Sequence, residues 1–248
     1  MSSKVIVVTG AGSGLGRSLA RRFASEGEAV VLVGRNISKL EKVANEIGAE
    51  ALCLSCDVGN PKSVNQAFSK LMEHHSTIDV LINNAAVYEP FLTKEARPQQ
   101  IVDSITINTI GPILCINAAL PLMAKDGHII NVSSESVGML FPYMVTYQAA
   151  KAGLERFTEG LKYELEADST NNIRVTCLRA GAMYSDDISL NTEPEVAARF
   201  MAATAAVGLD LRNRGISHVD SVTTVFRAII DLPSDVDLPV VTVQGRKP

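Results

Sequence analysis

The chain of 248 residues has no uninterrupted apolar run near the ~18 residues that a bilayer-crossing helix requires, which argues against an integral membrane protein. It also lacks a basic stripe. Its 23 Lys and Arg are outnumbered by 27 Asp and Glu, for a net charge of −4 and a pI of about 5.6. The cations are scattered, so neither a nucleic acid nor an anionic membrane is an expected partner. Cysteine is sparse, four in all, and so is histidine, also four. Cys53 and Cys56 have C-x-x-C spacing, but the surrounding ALCLSC reads as a strand, where positions three apart face opposite sides. Cys115 and Cys177 lie in apolar runs and read as buried thiols. Neither a metal site nor a redox pair is expected. No polar linker, low-complexity tract or internal repeat divides the chain, so one domain spanning 1–248 is expected. Residues 1–4 run straight into a β-branched segment with no leader, and the expected location is the cytoplasm.

Hydrophobic residues make up 46%, enough for a sheet covered on both faces. Apolar, β-branched runs at 4–9, 29–33, 51–56, 78–82, 127–132, 173–178 and 238–243 alternate with helical periodicities. That alternation predicts an α/β fold: one doubly wound, seven-stranded parallel sheet with helices on both faces. Among the helix signals, Asn60-Pro61 caps and starts one helix. Ser38 to Glu41 reads as a capping box for another. A helical stretch runs from about 99 through Asn108 to about 124, and a last helix from about 219 to 232. In such sheets ligands bind beyond the strand C-terminal ends, and the residues that stand out as unusual collect there.

The first strand empties into Gly10-Ala11-Gly12-Ser13-Gly14-Leu15-Gly16, followed by a helix with Leu15, Leu19 and Phe23 on one face. Strand, glycine turn and helix start together form a phosphate cradle: glycines admit positive φ, and the helix N-terminus offers free N–H groups. The spacing is Gly10-x-x-x-Gly14-x-Gly16 and not G-x-G-x-x-G. An ordinary tight turn has the same local look. The second strand ends at Gly34-Arg35, where NAD-selective folds carry a carboxylate. An arginine instead suits a 2′-phosphate, so NADP(H) is favoured over NAD(H), though a solvated arginine before a helix reads the same way. Asp57-Val58 closes the third strand and Asn83-Asn84-Ala85-Ala86 the fourth. Asp57 reads equally as a turn former. Asn108 lies in an apolar helix, where a buried amide needs a partner; a neighbouring loop could supply it.

The fifth strand ends at Ser133-Ser134, and the next helix begins with Tyr147 and carries Lys151. Residues four apart on a helix share a face, so a phenol and an ammonium are held side by side. A nearby cation favours phenolate and is expected to lower the Tyr147 pKa, giving a proton donor and acceptor for neutral pH. Ser134 adds a hydroxyl for a carbonyl or alcohol oxygen.

These features, TGAGSGLG at 9–16, Asp57-Val58, NNAA at 83–86, Asn108, Ser134 and Tyr147-x-x-x-Lys151 with Ser134 thirteen residues ahead of Tyr147, resemble the short-chain dehydrogenase/reductase family over essentially the whole chain. The resemblance implies a Rossmann-type fold and a nicotinamide-dependent exchange between an alcohol and a ketone or aldehyde. It implies catalytic roles for Asn108 (holding a relay water), Ser134 (holding substrate oxygen), Tyr147 (acid/base) and Lys151 (lowering the phenol pKa and binding the ribose). It implies a cofactor set of Gly10, Ser13, Gly14, Leu15, Gly16, Arg35, Asp57, Val58, Asn84, Tyr147, Lys151 and Gly181, with the Asn83 region on the adenosine side. It also implies a homodimer or homotetramer assembled through the helices near 108–124 and 147–167. Two positions depart from the family's pattern, Ala86 for glycine and Ala180 for proline ahead of Gly181. Neither removes a reacting group.

The substrate walls are expected at 87–91, 139–143 (Met139, Leu140, Phe141, Pro142 among them) and in a lid at about 182–217 that includes Met183 and a helix face over 201–207. Glu89, Glu135, Asp186 and Asp187 put negative charge around that site, or else face solvent. A neutral, mostly hydrophobic ketone or secondary alcohol is the expected substrate. A catalytically silent nucleotide-binding protein is the alternative, though such proteins usually lack one of the four catalytic residues. A hydrolase is disfavoured, since the chain has no G-x-S-x-G elbow.

Overall fold

The computed structural model describes residues 3–48, 51–167, 172–186 and 192–247. Seven strands form one parallel sheet: β1 (Val5–Thr9), β2 (Ala29–Gly34), β3 (Leu52–Ser55), β4 (Ile78–Asn83), β5 (Met123–Ser134), β6 (Arg174–Ala180) and, last in sequence, β9 (Val240–Val243). Their spatial order is β3-β2-β1-β4-β5-β6-β9, so the direction of winding reverses between β1 and β4. Side chains alternate along each strand. Ile6, Val8, Leu32 and Ile82 therefore face one layer, and Val7, Val31, Val33 and Leu81 the other. Helices α1 (Gly14–Ser25), α2 (Ile37–Ile47) and α8 (Val219–Ile230) cover the first layer through Leu19, Phe23, Leu40 and Phe226. Helices α3 (Pro61–Met72), α4 (Pro98–Ile105), α5 (Gly111–Ala119) and α6 (Val145–Glu166) occupy the other side, where Phe68, Leu71, Ile116 and Leu161 are buried against the sheet. Cys53 and Cys56 fall in opposite layers, as strand spacing requires. A short parallel ribbon, β7 (Met183–Tyr184) with β8 (Ser217–His218), flanks helix α7 (Pro194–Ala206) in sequence; nothing in the sequence signalled it.

Local boundaries correct several sequence expectations. Asn60 caps α3 as expected, its side chain accepting from Lys62 and Ser63 N–H. The cap of α2, however, is Asn36, which accepts from the Lys39 N–H, so Ser38 lies inside the helix and not at its start. The helix expected over 99–124 is two α-helices joined by a wide π-type turn at Thr106–Ile110. Pro112 explains it. Proline has no N–H to give the carbonyl four residues back, and its ring crowds that carbonyl. The residue four back is Asn108. By length and composition the stretch Pro98–Leu122 is long and apolar enough to cross a membrane, although Gln99, Gln100, Asp103, Asn108 and Asn117 interrupt it. Here it packs on the sheet and leads directly into β5.

His128 makes a prediction about stability. Its ring is buried, Nε2 shares a 2.8 Å hydrogen bond with the Thr176 hydroxyl, and Nδ1 is buried without a partner among the described residues. Burial, helped by Arg174 and opposed by Asp237, pulls its pKa down to about 3. The folded pKa lies below the unfolded value of about 6.5, so below that pH the unfolded chain binds the extra proton. Stability should therefore fall by roughly 1.4 kcal/mol per pH unit as pH drops below ~6.5. Denaturant titrations at pH 7 and 5 should show a loss of roughly 2 kcal/mol, smaller in His128→Gln. Equal pH slopes for the two proteins would contradict the assignment.

Candidate active site

The exits of β1 and β4 are laced together beside the reversal point. The Thr9 hydroxyl accepts from the Asn84 and Ala85 N–H groups, each at 3.0 Å, and the Asn84 carboxamide donates to the Thr9 carbonyl at 3.0 Å. Gly10 has φ +69° and Gly14 φ +51°, the left-handed conformation that glycine adopts without penalty. A cavity of about 280 Å³ opens over this loop. Gly10, Ser13, Leu15, Gly34, Arg35, Asp57, Val58 and Asn84 line it. Seven of the expected cofactor residues thus meet in one place. Gly14 and Gly16 stand behind the loop. A Cβ on Gly16 would lie 2.3 Å from the Gly10 carbonyl oxygen, so glycine lets α1 approach the loop. Asp57 is both wall and turn former, since its carboxylate accepts the Gly59 N–H at 3.0 Å. Asn83 does not face the cavity. It is buried and donates to the Asn131 side chain at 2.9 Å. Cys56, Ala85, Ala86 and Ile107 also line the cavity; as small or apolar side chains they carried no chemical signal. The shape and donor set fit the adenosine and phosphate portions of a dinucleotide.

Gly181 sits apart from that cavity, at the β6 exit. Its N–H donates to the Val243 carbonyl at 2.8 Å, and a Cβ there would lie 2.6 Å from the same oxygen.

Ser134, at the C-terminal end of β5, accepts the Ser136 N–H at 3.1 Å and lies near enough to the Tyr147 phenol to favour its ionised form. Lys151, one helical turn on and 2% exposed, donates to the Val132 carbonyl at 2.8 Å. Its Nζ is 5.8 Å from the Tyr147 ring centre. The three side chains expected to act together are therefore brought together. Their electrostatics differ from expectation. Burial pushes the Tyr147 phenol up to about 12; the Ser134 hydroxyl opposes this and neighbouring Tyr88 adds to it. Burial likewise pulls Lys151 down to about 8, opposed by Cys177. Desolvation of the phenolate dominates, and the expected lowering of the phenol pKa is not present.

Asn108 is fully buried in the wide turn. Its amide donates to the Val87 and Ser104 carbonyls at 2.9 Å each, and its oxygen accepts the Val87 N–H at 3.2 Å. Both carboxamide N–H groups are thus committed, and the side chain holds the loop after β4 against the helix. The main-chain carbonyl of Asn108 has lost its α-helical donor to Pro112, which has no N–H. Gln148 was missed by sequence reasoning. It follows Tyr147, donates to the Ser136 and Met139 carbonyls and accepts from Phe141 N–H, pinning the 136–141 loop. An amide beside Tyr147 was the available signal.

On the substrate side, Phe141, Tyr143, Met144 and Phe200 pack together against Leu92, Met139 and Tyr147. Tyr88 meets the Tyr147 ring edge-on at 5.4 Å. Some expected walls are elsewhere. Leu140 is 87% exposed, and Met183 packs on the core layer of α1 and α8. The buried positions of α7 are Phe200 and Thr204, while Val207 is exposed beyond its end. The expected acidic rim is largely neutralised: Glu135 is buried and paired with Arg214, and Glu89 lies 3.9 Å from Arg97. Asp186 is solvent-facing, and Asp187 lies outside the described residues.

Fold and cleft define a nucleotide-binding α/β protein of the doubly wound class. Residues 4–194 match the family described as short chain dehydrogenase. An uncharacterised oxidoreductase of Staphylococcus saprophyticus is 33% identical over 189 residues, 75% of this chain and 76% of that protein. Human dehydrogenase/reductase SDR family member 11 is 31% identical over 191 residues, 73% of each chain. Among solved structures, a metagenomic short-chain oxidoreductase in complex with NADP superposes with a TM-score of 0.77 at 25% identity, covering 100% of this chain and 99% of that one. An alcohol dehydrogenase from Thermococcus sibiricus, complexed with 5-hydroxy-NADP, has a TM-score of 0.81 at 24% identity with the same coverage and shares the fold. The chain belongs to the short-chain dehydrogenase family and is an oxidoreductase with a nicotinamide-nucleotide fold.

Proposed function

We propose that this protein interconverts a neutral, mostly hydrophobic ketone and its secondary alcohol, with NADP(H) preferred to NAD(H). The observation that carries the reading is the Tyr147 phenol, close to Ser134 and one helical turn from Lys151, at the same C-terminal edge of the sheet as a cleft whose lining suits a dinucleotide. A nicotinamide nucleotide in that cleft supplies or accepts the hydride. Ser134 Oγ and Tyr147 Oη hold the substrate oxygen from two sides. In reduction the proton on Tyr147 Oη passes to that oxygen, and Lys151 offsets the charge left on the phenol. Asn108 keeps the loop after β4 in place, and its freed main-chain carbonyl is the relay group. The aromatic cluster beside Tyr147 supports an apolar substrate, while the paired state of Glu135 removes charge repulsion as a reason to exclude anions.

Arg35 in the cavity lining, with no carboxylate at the β2 exit, supports a 2′-phosphate. Fluorescence titration should show NADPH binding more tightly than NADH. Arg35→Asp should weaken NADPH by about tenfold or more, a loss of ~1.4 kcal/mol or more, and leave NADH unharmed. Equal weakening of both would count against this role. A ketone panel followed at the nicotinamide absorbance tests turnover itself. We further propose assembly as a homodimer or homotetramer through the helices near 108–124 and 147–167, where Ile110 and Tyr163 are exposed, and a substrate lid within about 182–217.

A further inference from the structure

Glu135 follows Ser134 directly and is only 8% exposed. Its Oε1 accepts the Ala182 N–H at 2.9 Å and forms an ion pair with Arg214. Its Oε2 accepts the Gln244 amide at 2.9 Å. The surroundings are shaped to it: a Cβ on Gly181 would stand 3.1 Å from Oε1. On the far side, a Cβ on Gly215 would lie 2.1 Å from the Gly245 carbonyl oxygen, so the residues after Arg214 and Gln244 cross in tight contact. The Arg214 guanidinium also lies 5.7 Å from the centre of the Phe141 ring.

Ala182 is where the chain has left β6, and Arg214 is where it returns towards β8. Between them lies α7, whose Phe200 packs on Tyr143 beside Tyr147. One carboxylate therefore holds both ends of the segment that carries α7, and the C-terminal tail as well. Burying a carboxylate is costly unless it is paired and fully hydrogen-bonded, and here three separate segments supply the donors. A group needed only to cap a turn would not join segments 32 positions apart (182 and 214).

We propose that Glu135, through its ion pair with Arg214 and its bond to Ala182, is a positioning residue that sets where α7 and its aromatic face stand relative to Tyr147. It thereby governs substrate binding and leaves the nucleotide cavity alone. The catalytic consequence rests on the reading of Ser134 and Tyr147 given above. The pair also keeps charge balanced beside Ser134. The other charged or titratable groups around Tyr147 are Lys151 on its own helix and Tyr88 on the loop after β4, with the Arg199–Glu95 pair across Tyr143. Lone Glu135 disfavours a phenolate and lone Arg214 favours one, so removing either partner shifts the phenol in opposite directions.

The test compares the full-length protein with Glu135→Gln, Arg214→Gln and the double variant. Each single change should raise the ketone KM by about tenfold, while NADPH affinity stays within about twofold. Hydrogen exchange should quicken in α7 and not in β1 or β4. The alkaline limb of alcohol oxidation should move to lower pH in Glu135→Gln, to higher pH in Arg214→Gln, and return in the double variant. Unchanged KM and α7 exchange in both single variants would overturn the proposal. So would parallel loss of NADPH binding and of β1 and β4 protection, which marks a general structural role. If the parent protein turns over no ketone, the active-site reading has failed, and α7 exchange with NADPH affinity still decides whether Glu135 holds this segment.

Discussion

Replacing Tyr147 with phenylalanine should lower kcat for ketone reduction by about 10²–10⁴, the span ascribed to a positioned proton donor, or roughly 2.7–5.5 kcal/mol of barrier. The substitution removes one oxygen and keeps the ring, so the edge-on contact with Tyr88 and the packing beside Phe141 and Phe200 survive. What goes is the hydroxyl near Ser134 to which the proton transfer is assigned. NADPH affinity should stay close to the parent value, because the cavity lined by Gly10, Arg35 and Asp57 does not include Tyr147. The pH dependence follows from the same burial. With the phenol pushed up to about 12 and Lys151 pulled down to about 8, Tyr147 is protonated at neutral pH and ready to act as an acid. Reduction should vary little between pH 6 and 8, whereas alcohol oxidation, which needs the phenolate, should climb as pH rises above about 8. Nucleotide binding brings a positive charge in the oxidised state and moves the oxidation limb towards neutral pH. A Tyr147→Phe protein that reduces ketones at the parent rate would remove the basis for the assignment.

Much of this site could be read before any fold was known, because its elements are set by short-range rules. β-branched runs locate β1, β2 and β4, glycines mark the turn after β1, and four-residue spacing places Tyr147 and Lys151 on one face. The features that sequence alone misplaced depend on what lies across the fold. Glu135 looked like a rim charge, but its partners Ala182, Arg214 and Gln244 are 47 to 109 residues away, and no local pattern announces them. The lowering of the Tyr147 pKa was expected from a neighbouring cation; the opposing desolvation depends on how deeply α6 and the aromatic cluster bury the phenol. Asn108 was legible as a buried amide needing partners, and the partners proved to be Val87 and Ser104. The wide turn that carries it had a signal that went unused, Pro112 four residues on. The α2 cap is the opposite case. Ser38 and Glu41 satisfied a local rule, yet Asn36 begins the helix two residues earlier because its side chain reaches Lys39 N–H first.

Gly16→Ala should abolish tight nucleotide binding and destabilise the protein by about 1–3 kcal/mol, the usual cost of forcing a methyl into a packed position. The added Cβ would lie 2.3 Å from the Gly10 carbonyl oxygen and 2.7 Å from the Asn84 amide nitrogen. Neither obstacle is a free side-chain tip. Gly10 is main chain with φ +69°, and Asn84 is fixed by its bond to the Thr9 carbonyl. Relief therefore requires α1 to back away from the loop, and that widens the floor of the cavity and turns its N–H groups out of line. The same chemical change elsewhere should have the opposite sign. Gly160 lies within α6, and an added Cβ meets nothing within 4 Å. Gly160→Ala should stabilise by about 0.5–1 kcal/mol, since alanine gives up less backbone freedom than glycine on entering a helix, and NADPH affinity should not change. Thermal unfolding and NADPH titration of the two variants thus separate a general response to alanine from a response to this contact. Parent-like NADPH affinity in Gly16→Ala would mean that the nucleotide is not held over the β1–α1 turn, and the cleft would lose its claim to be the cofactor site.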